Sequence, residues 1–169
     1  MGSALSRLGL LVLLTVSVSV VACTIERGDV RTPGGEPPEA DTTRVRLTME
    51  AIAAAFESAD LASLDTICHD SVTVFWDGRL ERGWADYREH QLLPELEALS
   101  QRRLRIYDVR VRLARNTAWA TYGFRLSAVQ NGRDVEAHGA GTMILQNLQG
   151  RWRLVHSHTS AARPEEDGR

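Results

Sequence analysis

Residues 117–146 read TAWATYGFRLSAVQNGRDVEAHGAGTMILQ, and the Asn131-Gly132 pair at their centre decides the fold. Asn and Gly both tolerate positive φ, which a two-residue hairpin turn requires at both of its central positions. The flanks therefore read as two paired strands, Thr117–Val129 and Asp134–Gln146. In the first of them Ala118, Ala120, Tyr122 and Phe124 alternate on one face with little charge, the period that a strand imposes on its side chains. Small residues on that face leave room above it, either for a guest or for closely packed helices. The pattern extends outward. Arg115-Asn116 and Gln149-Gly150 are further turn-formers, so strands at about Arg103–Leu113 and Arg151–Ser160 join the same antiparallel meander.

Upstream the period changes. Val45, Met49, Ile52, Phe56 and Ala59 recur at alternating steps of four and three, which predicts a helix over about Thr43–Ser58 with one buried face. Asp60 is placed to cap a second short helix running through Cys68, its carboxylate accepting the free N–H groups of the first turn. Val72-Thr73-Val74-Phe75-Trp76 favours a strand, closed by Asp77-Gly78. A third helix opens near Trp84 with Trp84, Tyr87, Leu92, Leu96 and Leu99 as its apolar face, and Pro94 should kink or divide it. Helices gathered ahead of a meander can cover only one of its faces. The expectation is an α+β fold in which a curved antiparallel sheet wraps around three helices, a cone with a cavity at its open end.

The N-terminus reads differently. Arg7 precedes an uncharged apolar stretch from Leu8 to Ala22, too short to span a bilayer comfortably and interrupted by Ser17 and Ser19. Val20-Val21-Ala22-Cys23 resembles the lipobox of bacterial lipoproteins, in which the cysteine is acylated and becomes the new N-terminus. Residues 1–22 are thus expected to be a signal peptide, and residues 23–42, rich in Gly and Pro, a lipidated tether. Residues 43–162 form the domain and 163–169 a polar tail. The expected location is outside the cytoplasm, anchored to the cell membrane through Cys23.

Composition closes several routes. The net charge is −2 and no basic patch stands out, which argues against nucleic acid as a partner. Every Lys+Arg position is Arg, so lysine Schiff-base or lysine general-base chemistry is excluded. Cys68 is the one cysteine of the domain; no disulfide can form within it, and its place in the stripe Leu61, Leu64, Ile67, Cys68 reads as a small buried hydrophobe.

The last strand carries a resemblance. Gly150-Arg151-Trp152-Arg153-Leu154-Val155-His156-Ser157-His158-Thr159-Ser160 resembles the closing strand of SnoaL-like domains of the NTF2-like superfamily, and is similar to that of the calcium/calmodulin-dependent kinase II association domain. Gly83-Trp84 and Gly141-Thr142-Met143-Ile144-Leu145 look like the same group. The resemblance implies the cone fold over residues 43–162 and a homodimer. Family chemistry transfers poorly. Where ketosteroid isomerases carry a base on the first strand and a tyrosine on the first helix, alignment by eye puts Phe75 and Ile52, which can neither accept a proton nor stabilise an oxyanion. Where the kinase hub has anion-binding arginines stand Phe124, Met143 and Thr159, so the pocket implied is neutral, apolar-walled and dotted with hydroxyls.

The expected ligand pocket comprises Phe75, Tyr87, Tyr122, Phe124, Ser157 and Thr159. The resemblance directs Val155, Ser157 and Thr159 inward and Trp152, Leu154, His156 and His158 to the opposite face, against a partner subunit; periodicity alone is compatible with either direction. His156 and His158 are too few ligands for a metal site, and neither metal nor cofactor is expected. His90, three residues from Tyr87 and so on the same side of the third helix, is a candidate base, with Tyr87 or Glu95 to orient it. Arg103, Arg105, Arg110 and Arg112 read as a solvated strand edge, and His69-Asp70 as a turn. Three readings follow. The leading one is a lipoprotein domain binding a small, neutral, largely apolar ligand in the cone; the others are a metal-independent isomerase or hydrolase using His90 with Tyr87 or Tyr122, and a structural oligomerisation module.

Overall fold

The computed structural model of the protein describes residues 38–76 and 78–162. The expected signal peptide, Cys23, the first part of the expected tether and the tail lie outside the described residues. Helix α1 (Pro38–Ser58) begins ahead of Thr43, so the last residues expected in the tether are helical. Glu39 and Asp41 in its first turn complement the positive end of the helix dipole, and Asp41 Oδ1 accepts a hydrogen bond from Trp152 Nε1 at 3.3 Å. Val45, Met49 and Phe56 are buried as the spacing predicts. Ala59 is not. It takes a φ of 57° and ends the helix, its N–H and that of Asp60 closing on the carbonyls of Phe56 and Ala55 at 3.3 and 2.8 Å. Asp60 then caps α2 (Leu61–Ile67), accepting from the Ser63 N–H at 3.1 Å.

Strand β1 (Cys68–Trp76) is longer than expected and pairs with a short strand, β2 (Arg79–Arg82), that the sequence reading missed. The helical stretch after Gly83 divides as Pro94 requires: α3 (Trp84–Tyr87), a wide π-turn (Arg88–Leu92) and α4 (Leu93–Ala98). In the π-turn the Leu93 N–H reaches back to the Arg88 carbonyl, an offset that changes which side chains face inward. The meander follows as β3 (Leu99–Ala114), β4 (Thr117–Gln130), β5 (Arg133–Leu148) and β6 (Arg151–Ala161). Its turns are the expected ones, with Asn131, Gly132, Gln149 and Gly150 all at positive φ. Strand order is β2-β1-β6-β5-β4-β3, and β1 lies parallel to β6, so this α+β cone has a mixed sheet, its last strand inserted beside its first.

Bulges shape the sheet. In β3 the inward series runs Leu99, Arg102, Leu104, Ile106, Val109, Val111, Leu113, with steps of three at two register shifts. Gln101 and Asp108 occupy those shifts with φ near 51° and 52°. In β6 a third shift leaves Val155 unopposed between Leu154, which faces Leu145, and His156, which faces Ile144. Trp152, Leu154 and Ser157 are consequently all buried. This corrects the expected alternation: Trp152 and Leu154 point into the core, while Ser157 and Thr159 still point inward and His156 and His158 outward. Among the described residues no helix is long and apolar enough to cross a membrane.

Candidate functional site

Between the concave face of the sheet and the helices lies a cavity of about 120 Å³. Apolar residues from every layer form its walls, among them Ile52 and Phe56 of α1, Val74 and Trp76 of β1, and Phe124 and Met143 of the meander. Its polar atoms come from Tyr87, Gln91 and Glu95 on the helical side and from Tyr122, Ser157 and Thr159 on the sheet. No arginine or histidine is among the described residues that line it.

The position of Tyr122 follows from a missing side chain. A Cβ on Gly141, its partner across β5, would come within 2.5 Å of the Tyr122 ring carbon Cζ and hydroxyl and 2.9 Å of Thr159 Cγ2, so the phenol lies over the bare backbone and reaches β6. There its hydroxyl is close enough to the Ser157 side chain to be influenced by it. Burial pushes the Tyr122 hydroxyl up to about 12, despite the opposing effect of that side chain, and burial raises Tyr87 as well. Both are therefore neutral donors at physiological pH. Burial likewise pushes the Cys68 thiol up to about 12; it lines the cavity as an apolar group and is no nucleophile.

Glu95 is the one carboxyl among the described lining residues. Burial raises its pKa above the ordinary 4.5, and the Arg102 guanidinium draws it partly back. Arg102 itself is turned inward by the bulge at Gln101. Its Nε donates to the Phe56 carbonyl at 3.0 Å, one terminal nitrogen to those of Leu96 (2.9 Å) and Leu99, and the other to that of Glu57 at 3.2 Å. One guanidinium thus fastens the C-terminal ends of α1 and α4 together.

Five of the six expected pocket residues meet here: Tyr87, Tyr122, Phe124, Ser157 and Thr159. Phe75 does not. It lies on the convex side, 39% exposed, with its ring 5.9 Å from that of His156 and 6.0 Å from that of His158. Val74 and Trp76 take the inward positions, and the polar Thr73 was the signal, since it shares the outward phase with Phe75 and bonds His156 Nδ1 at 2.7 Å. His90 also leaves the site. Its side chain is 64% exposed and lies 3.6 Å from Glu81, pointing away from the cavity, which removes it as the base of a cavity reaction. Tyr87 stays, and the π-turn between them gives Gln91 and Glu95 the inward places. Sequence spacing offers Glu95 only as a group to orient His90 and does not single out Gln91, because it takes the stretch from Tyr87 to Leu92 as regular α-helix where the structure has a π-turn.

Comparison with curated proteins finds no match. Solved structures do match. An NTF2-like superfamily protein from Salmonella enterica serovar Typhimurium aligns at a TM-score of 0.67 with 19% identity, over 76% of this chain and 97% of that one. A protein named for an aromatic ring hydroxylase, from Novosphingobium aromaticivorans, aligns at 0.70 with 17% identity, covering 76% and 94%. One named for a dehydratase of the NTF2-like family, from Streptomyces avermitilis, aligns at 0.68 with 17% identity, covering 76% and 100%. At these identities the likeness speaks for the fold alone. A family model described as SnoaL-like domain matches residues 45–164, the cone together with its cavity. The chain belongs to the SnoaL-like domain family, and its fold is the one shared by these NTF2-like structures.

Proposed function

We propose that this domain is a binding module that holds a small, largely apolar molecule, neutral through its body, in the cone cavity, and that Cys23 anchors it by lipid at the cell envelope. The observation that carries the reading is the cavity's composition: apolar walls, hydroxyls at Tyr122 and Tyr87, and no cation to hold an anion among the described lining residues. Its size suits a single ring. An engineered apolar cavity of roughly 150 Å³ in another protein takes up benzene. An isologous dimer is part of the proposal, with the convex face as the contact, supported by Phe75, Tyr107 and Trp119, which are 39%, 39% and 42% exposed on that side.

A thermal-shift and native mass-spectrometry series tests the pocket. Toluene or phenol should bind as one molecule per chain and raise the melting temperature, and benzoate should not. Equal binding of benzoate, or uptake of none of the series, defeats the proposal. Treatment of cells with an inhibitor of lipoprotein signal cleavage tests the anchor through the mass of the N-terminal peptide.

A further inference from the structure

Resting on that reading of the cavity, we propose that the guest carries an amino group, received by Gln91 and Glu95 on the helical wall. The two residues are one helical turn apart, so their side chains are neighbours on the same side of the stretch that closes the cone. Gln91 Oε1 is shut off from solvent and has no hydrogen-bond partner among the described residues. A buried acceptor left unmet is an anomaly that a donor from a guest would resolve. Glu95 presents a second acceptor to the same space. Its one nearby cation, Arg102, lies outside the lining and has its N–H groups committed to the backbone carbonyls of α1, α4 and the start of β3.

The rest of the wall fits the same head group. Trp76, Trp84 and Tyr87 line the cavity with aromatic rings, whose faces attract an ammonium where water is excluded. The Trp84 indole N–H is already given to Asp65 Oδ1 at 2.7 Å, so it does not compete for Gln91 or Glu95. Two acceptors together suit a group with several donors, which an amine offers and a hydroxyl does not. A carboxylate on the guest would find no cation among the described lining residues and would face the Glu95 carboxyl instead. The sheet side remains hydroxylic, so Tyr122 and Ser157 are left to any acceptor on the far end of the molecule.

The test is a calorimetric titration of the purified protein with benzylamine, benzyl alcohol and toluene, which share one ring and differ in the head group. Benzylamine is expected to bind at least about tenfold more tightly than toluene, since charge-assisted hydrogen bonds are the stronger class. In Glu95→Gln, an isosteric change that removes the carboxylate, the ratio of benzylamine to toluene affinity measured in the same variant should shrink to about twofold. Gln91→Leu should lower it as well, and it serves alone should Glu95→Gln not fold by circular dichroism. Equal affinity for benzylamine and toluene in the wild type overturns the amino-group proposal and leaves the pocket reading standing. An amine preference that survives in the folded variants overturns it too. Binding of no member of the series defeats both.

Discussion

Glu95 lines the cavity as a buried carboxyl, and its titration has a definite sign. Burial raises its pKa above the 4.5 of an exposed glutamic acid, so the folded state keeps a proton that the unfolded chain has already released. Stability then falls as pH rises from below the unfolded value through the folded one, and stays at the lower level above it. The variant Glu95→Gln should therefore match the wild type in denaturation midpoint near pH 4 and exceed it at pH 7. A lower midpoint at pH 7 would mean that the attraction of Arg102 outweighs the cost of burying the carboxylate. Neither residue announced this in the sequence, because Glu95 and Arg102 are separated by the end of α4 and meet only after the bulge at Gln101 turns the arginine inward.

Among the elements, the joints carry more information than the helices and strands they connect. Arg102 satisfies carbonyls at the ends of two helices, groups that otherwise have no partner inside the helix. Arg102→Met keeps much of the side-chain stem and removes those donors; it should lower unfolding free energy by about 2–3 kcal/mol, read as a drop in urea midpoint at unchanged slope. The hairpin turns were legible because Asn131-Gly132 and Gln149-Gly150 leave the chain little else to do. The bulge at Val155 was not. Both phases of the last strand offer an apolar residue followed by polar ones, and a bulge lets the strand use one phase for Trp152 and Leu154 and the other for Ser157 and Thr159. The π-turn had the same effect on the third helix, moving the inward set from His90 to Gln91.

At the scale of the molecule, the mixed sheet has two faces with different tasks. The concave one packs on α1 and holds the cavity. The convex one leaves three large aromatics in water, and a ring cluster of Phe75, His156 and His158 lies among them. Trp119→Glu places a charge on that face, and pairing across a two-fold axis would confront it with its copy or with the same apolar patch. By sedimentation equilibrium at micromolar concentration the wild type should run as a dimer and Trp119→Glu as a monomer with an unchanged circular dichroism spectrum. A wild type that runs as a monomer at every concentration would remove the dimer from the proposed function.

The sequence by itself determined the cone: turn residues at three joints, period-two strands between them and a period of 3.6 ahead of them leave one economical arrangement, a meander with helices on one face. Strand periodicity put Tyr122 and Phe124 on one face, while the inward direction of Ser157 and Thr159 came from the family resemblance and not from the period; these four and Tyr87 line the cavity. Only the tertiary structure decided that Phe75 faces out, that His90 is on the surface and that Gln91 and Glu95 are within. The physical reason is phase. Local patterns set the period of a strand or helix, but a single extra residue at a bulge or a π-turn resets which side is inward, and the register of neighbouring strands and the packing of the core select where that residue goes.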